Sequence, residues 1–257
     1  MSFLRLSLGL LAITALAIPV YTEVTGASLG EFQAARRAYD AVKMAAVRDS
    51  LIARAESQTG DFGAQWDAAE CLRITGSELR TQRQVQRISG KEAKALAQEQ
   101  EAWSARGLTL AERAVALADT EERKAASHRV MGELYANSIT GMVSGLKNGP
   151  KAKNHMDEAL ARTPEDLECQ RAIGIMYLNN PPFNGGDINK AIETFSRCHT
   201  AAPDNDDYLV LLAMAYRKNK DWDKALETAE LAIQTNPANP NAAALKAAAA
   251  AKSEAVE

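Results

Sequence analysis

Cysteine is scarce, and that removes several functions at once. The chain has three, Cys71, Cys169 and Cys198, with no CxxC pair, and its three histidines, His128, His155 and His199, are equally scattered. Neither set has metal-ligand spacing. Basic excess is also lacking: 30 Lys and Arg stand against 33 Asp and Glu, a formal charge of −3, so no nucleic-acid partner is expected. Aromatics make up only 5% of a chain that is 46% hydrophobic. With alanine abundant and proline confined to a few joints, this suits helices packed through small side chains rather than a β-rich core. No HExxH, GxSxG, P-loop or Rossmann glycine pattern occurs. Gly145 to Gly149 is a helix end, not a phosphate cradle, and the carboxylates are spread along helix surfaces without a suggestive pair. The sequence therefore predicts no enzyme, no metal and no cofactor.

What is present is helical periodicity, clearest at 204–237. Leu209, Leu212, Ala213 and Tyr216 recur at helical spacing. The polar turn Lys218-Asn219-Lys220-Asp221 follows, then Trp222, Ala225, Leu226, Ala229, Ala232 and Ile233, and Pro237 stops the chain. These positions resemble the tetratricopeptide repeat, a unit of about 34 residues with W-x2-L-G-x2-Y, then A-x3-F, then P. The same register recurs upstream. His128, Met131, Gly132 and Tyr135 pair with Ala152, Met156, Ala159 and Pro164; Ile173, Gly174 and Tyr177 pair with Ala191, Phe195 and Pro203. The expected fold is all-α, a tetratricopeptide-type helical-hairpin solenoid. It has three repeats (122–164, 165–203, 204–237), a degenerate unit built from 61–119 within a helical region at 28–119, and a capping helix within 238–257.

The other segments are read the same way. Residues 1–27 carry Arg5 and an apolar run from Leu6 to Val20, short of the ~20 residues a spanning helix prefers. This reads as a secretory signal or an N-terminal anchor, and it places the chain in the periplasm or cell envelope with membrane contact only there. No cysteine follows the run, so a lipid anchor is not supported. Residues 27–58 outline one apolar stripe ended by Gly60, with Asp61 capping the next helix up to about Leu79. The basic residues Arg80, Arg83, Arg87, Lys91 and Lys94 read as solvated surface around a loop at Ser89-Gly90. A repeat second helix is expected from Gly107 to Asp119. Two turns are enlarged: an apolar extension at 139–148, ended by Gly149-Pro150, and the stretch Pro181-Pro182-Phe183-Asn184-Gly185-Gly186-Asp187, where Asp187 caps the following helix.

This combination is similar to the periplasmic T-component of TRAP-type solute transporters and to the repeat domain of the regulator-of-microtubule-dynamics family. The residues that carry the resemblance are the Trp66 helix, the polar interruption, 107–117 and 174–195, and it spans about 61–237. It implies either an adaptor for a protein or peptide, or a transporter accessory that meets a small molecule or the solute-binding protein, with homo-oligomers among the outcomes.

The groove lined by first helices is where such an array would hold a partner. Its positions are Arg129, Glu133 and Asn137; Arg171, Ile175 and Asn179; and Val210, Met214, Arg217 and Lys218. The guanidiniums and carboxamides suit a peptide's carboxylate or backbone. Phe183 and Asn184 belong to the second enlarged turn, with Phe183 expected to fold back onto its hairpin. Tyr135, Tyr177, Tyr216, Trp66 and Trp222 read as packing residues. Cys169 and Cys198, on the two helices of one unit, are close enough in register for a disulfide if the chain is exported, or are small buried residues.

Overall fold

The computed structural model describes residues 28–253; the leader-like segment 1–27 lies outside them. Among the described residues there are eleven α-helices and one short 3-10 turn, with no strand. The helices are α1 (Leu29–Arg37), α2 (Ala41–Ser57), α3 (Phe62–Val85), α4 (Gly90–Leu117), α5 (Glu121–Asn137), α6 (Met142–Arg162), α7 (Leu167–Asn179), α8 (Ile188–Ala201), α9 (Asp206–Lys218), α10 (Trp222–Thr235) and α11 (Pro240–Ser253).

Most starts have a local cause. Short polar side chains take an orphan N–H of the first turn: Ser28, Asp40, Asp61, Thr120, Asp166, Asp187 and Asn205. Asn239 does the same for α11, with Pro240 behind it as the first helical residue. Consecutive helices pair as antiparallel hairpins, α3 with α4, α5 with α6, α7 with α8 and α9 with α10, and α11 closes the array.

Small residues set the spacing within these pairs. A Cβ at Gly132 would meet the Ala152 carbonyl oxygen at 3.1 Å, and one at Gly174 would meet the Phe195 ring at 2.5 Å. One core gathers Leu51, Leu72, Val130 and Leu134 from α2, α3 and α5. A second gathers Phe195, Leu209, Leu212 and Leu245 from α8, α9 and α11 and takes Val85 from the end of α3.

Five expectations change. The stripe at 27–58 is two helices, because Tyr39 adopts a left-handed φ of +53° and Asp40 restarts the chain. The helix from Phe62 continues past Leu79 to Val85. Helix α4 starts at Gly90, so Gly107 lies inside a 28-residue helix rather than at its start. A Cβ there would stand 2.7 Å from Leu134 Cδ2, so Gly107 marks a close approach of α4 to α5. Pro150 does not end a helix either; α6 runs through it, beginning at Met142, where Ser144 Oγ takes the Gly141 N–H.

Phe183 is the fifth. It is 92% exposed at the tip of the 3-10 turn Pro182–Asn184. The turn closes on its own backbone, with Gly186 N–H donating to the Pro181 carbonyl and Asp187 N–H to the Tyr177 carbonyl. Gly185 is left-handed at φ +82°, and a Cβ at Gly186 would stand 2.0 Å from the Asn180 oxygen. With the loop shut this tightly, the ring points outward.

Candidate functional site

The concave side of the array is occupied by the chain itself. Helix α3 runs along it, touching the first helices of the later hairpins in turn. Midway along it Arg73 donates to Glu133 of α5, and Asn137 donates to the Arg73 carbonyl and to Ser77. Further along, Gln84 donates to Asn179 of α7. At its end Arg217 of α9 donates to the carbonyls of Gln84 and Val85. Helix α1 lies across the same side: Arg36 bridges Glu78 of α3 at 2.6 Å and Asp207 of α9 at 2.5 Å.

The centre of this face is a buried charge network. Glu70 and Arg73 of α3, Arg129 and Glu133 of α5, and Arg171 of α7 are all under 10% exposed. Arg73 forks onto both oxygens of Glu70 (2.7 and 2.8 Å) and reaches Glu133 at 3.0 Å. Arg129 reaches Glu133 at 2.8 Å and Glu70 at 3.3 Å. Arg171 joins Glu133 at 2.7 Å and Glu168 at 2.9 Å, and Tyr208 of α9 donates to Glu168. Four first helices are thus tied by one chain of charge-assisted hydrogen bonds.

Burial alone would raise these carboxyls. The neighbouring Arg129 and Arg73 outweigh it and hold Glu70 at about 2, and guanidiniums likewise hold Glu168 well below the usual carboxylate range and lower Glu133. The same carboxylates push Arg129 and Arg171 upward against the effect of burial.

The residues singled out in the sequence therefore have definite places. Arg129, Glu133, Asn137 and Arg171 are brought together, but their partners are within the chain, not open groove. Ile175, Asn179 and Met214 line a small crevice against α3 that also includes Gln84 and Arg80. Arg217 and Lys218 hold backbone carbonyls, Lys218 that of Leu178. Val210 lines the main cavity described below, and Asn184 sits with Phe183 in the exposed turn. Of the basic stretch, Arg80 is half-buried against α5, donating to the Ala136 carbonyl, and Arg83 donates to Gln100. Sequence reasoning missed Glu70, Arg73 and Glu168. Glu70/Arg73 and Glu168/Arg171 are both i,i+3 pairs, a spacing equally common on solvated faces.

Between α1, α3, α7, α9 and the start of α11 a cavity of about 710 Å³ remains. Five guanidiniums (Arg36, Arg37, Arg73, Arg129 and Arg171) face six carboxylates there, with Trp66, Ile74, Ile175, Val210 and Leu211 as its apolar wall.

Two other features are settled by geometry. All three cysteines are free and buried. Of the two readings of Cys169 and Cys198, the structure has the small buried residues and not the bridge: Cys169 Sγ lies 3.8 Å from Thr163 Oγ1, while Cys198 Sγ faces the Leu167 carbonyl at 3.9 Å. Burial raises the Cys169 thiol to about 11, which keeps it protonated and unreactive.

The second feature is a histidine pair. His128 and His155 set their Nδ1 atoms 2.9 Å apart between α5 and α6, with Tyr135 stacked on His155. Burial lowers both pKa values; Arg162 adds to the effect on His128, and His128 adds to it on His155. Each folded value lies below its ordinary 6.5, so the unfolded chain binds more protons below that pH and folding stability falls on acidification. Chemical denaturation at pH 7.0, 6.0 and 5.5 is expected to show this loss in the wild type. In His155→Phe the slope should be shallower; an unchanged slope would mean the pair does not titrate with folding.

Residues 185–249, from the α8 turn into α11, match the family model described as tetratricopeptide repeat. No curated protein matches the chain. Among solved structures, TTC0263, a thermophilic TPR protein in Thermus thermophilus, aligns with a TM-score of 0.58 at 15% identity. The alignment covers 86% of this chain and 97% of that one. YrrB, a TPR protein with an unusual peptide-binding site, aligns at 17% identity over 76% and 96% of the two chains, with a TM-score of 0.34. The chain is thus a helical-repeat protein with the fold of a tetratricopeptide-type solenoid, and the repeat family model falls on its C-terminal hairpins.

Proposed function

We propose that this protein is an interaction module that carries no catalysis of its own and docks a partner protein on one edge of its solenoid. The observation behind this reading is the placement of exposed apolar side chains. Met142, Val143 and Leu146 are 76–85% exposed and Phe183 is 92% exposed. The first three open α6 just after the α5–α6 turn and Phe183 sits in the α7–α8 turn, so both groups lie where the first helix of a hairpin passes to the second, the same edge of a stacked array. Clustered large apolar side chains on a soluble surface favour a protein contact, and each is worth about 1.5–3 kcal/mol when fully covered. The usual groove route is closed by α3, so the edge takes its place.

In the finer reading the chain is exported or held at the envelope by residues 1–27. Its partner is then a component of a TRAP-type transporter such as the solute-binding protein, a reading that rests on the resemblance at 61–237. A second reading, an accessory that handles a small solute, is favoured by the charged cavity.

The test is a photo-crosslinking amino acid placed at Met142, at Phe183, and at Arg197 on α8 as a control. One partner protein captured from the first two positions and not from the third supports edge docking. Capture of only a second copy of this chain, or of nothing, removes it.

A further inference from the structure

Most charges facing the cavity are matched. Arg73, Arg129 and Arg171 are shared among Glu70, Glu133 and Glu168, and Arg36 lies between Glu78 and Asp207. Of those left without an ion pair, Arg37 and Asp204 are exposed and Asp206 is buried. It is 6% exposed and lines the cavity, yet no cation pairs with it among the described residues. One oxygen, Oδ2, accepts from the carboxamides of Asn236 (3.0 Å) and Asn239 (2.6 Å). Its other oxygen accepts nothing among the described residues. The α9 helix end offsets part of its charge, but a buried carboxylate without a counter-charge is costly.

Asn241 stands in the same wall, 5% exposed, and its side chain makes no hydrogen bond among the described residues. The nearby Arg37 is exposed at the rim and screened by water. Glu78, Asp204, Asp206 and Asp207 therefore outnumber Arg36 and Arg37, leaving this end of the cavity negative.

We propose that this end of the cavity binds the ammonium group of a small organic amine. Asp206 supplies the counter-charge and the free Oδ1 acceptor, the Asn241 carboxamide oxygen supplies a second acceptor, and Val210 with Leu211 covers the carbon skeleton. An ammonium has three donors and needs such converging acceptors. A bare metal ion fits less well, because no group of three or more His, Cys, Asp or Glu side chains among the described residues is placed to hold one. The volume of about 710 Å³ is in the range of small-molecule sites. This inference stands apart from edge docking and gives the solute-handling reading a ligand class.

The test is isothermal titration of the purified full chain with putrescine, spermidine and glucosamine, alongside 1,4-butanediol as a neutral probe and succinate as an acidic one. At least one amine is expected to bind saturably, with butanediol and succinate silent. Asp206→Asn should weaken that binding at least tenfold. Because Asp206 also joins α9 to the start of α11, Asn241→Ala serves as the second variant. It removes a side chain with no partner in the fold and should weaken binding at least threefold at unchanged helicity. Binding undiminished in both variants overturns the assignment. Binding of succinate instead of the amines overturns the ammonium class while leaving solute handling standing, and silence from all five probes removes both.

Discussion

Glu133→Ala is expected to lower the unfolding free energy by about 3–5 kcal/mol, the cost of stripping a buried ion network of one partner. Glu133 is the hub: Arg73, Arg129 and Arg171, from three helices, all donate to it. Without it three buried guanidiniums share Glu70 and Glu168, and the excess positive charge is left with only the cavity to face. For a chain of this size that corresponds to a fall in Tm of roughly 6–20 °C. Asp157→Ala, which breaks the exposed Lys153–Asp157 pair, should stay within about 0.5 kcal/mol. Urea denaturation of the two variants decides the matter, and a loss below 1 kcal/mol for Glu133→Ala would mean the guanidiniums find other counter-charge.

The network also fixes an acid response. Glu70, Glu133 and Glu168 have folded pKa values below their ordinary 4.5, so their contribution is present above that pH and is lost as pH falls toward about 2, where Glu70 itself titrates. The histidine pair acts at higher pH, so the two effects separate on one titration. Glu133→Ala should flatten only the lower limb.

The second large effect lies in the α7–α8 hairpin. Phe195 is wholly buried against Gly174, and Phe195→Ala is expected to cost about 3–5 kcal/mol. Gly174→Ala alone should cost about 1–3 kcal/mol, because its Cβ would enter the Phe195 ring at 2.5 Å and the ring, closed in on all sides, cannot swing away. In the double variant the added methyl has a void to enter, so the loss should be smaller than the sum by more than 0.5 kcal/mol. Strict additivity would show that something other than this contact makes the glycine necessary.

The hairpins were readable because their causes are local. Apolar periodicity placed α5 to α10, and the glycines at the L-G step of the repeat marked where α5 meets α6 and α7 meets α8. Asp61 and Asp187 were legible as caps because a cap needs only the next three residues. Gly107 misled for the same reason that Gly132 did not. Both serve a close approach, but Gly107 faces Leu134 across a hairpin boundary, and an isolated glycine in a polar context reads as a helix end. Pro150 likewise suggested a break, although its missing N–H falls on an exposed part of α6, where the carbonyl it frees is not shut away from solvent.

The candidate site was only half legible. Arg129, Glu133 and Asn137 lie on α5 and Arg171 on α7, all reaching toward α3 or its partners, and a shared face of this kind needs only helical register. Whether the face was open was not encoded locally. It depends on α3, whose Glu70 and Arg73 lie about 60 residues from Glu133, and on α1, whose Arg36 meets Asp207 171 residues away. By itself the sequence determined the all-helical class and the pairing of α5 with α6, α7 with α8 and α9 with α10, because those follow from spacing within some 34 residues. Only the tertiary structure decided that α3 and α1 close the concave side, that the arginines are spent on the chain's own carboxylates, and that Asp206 and Asn241 are left facing a cavity. A charged side chain's partner is chosen by distance in space, and no pattern along the chain records it.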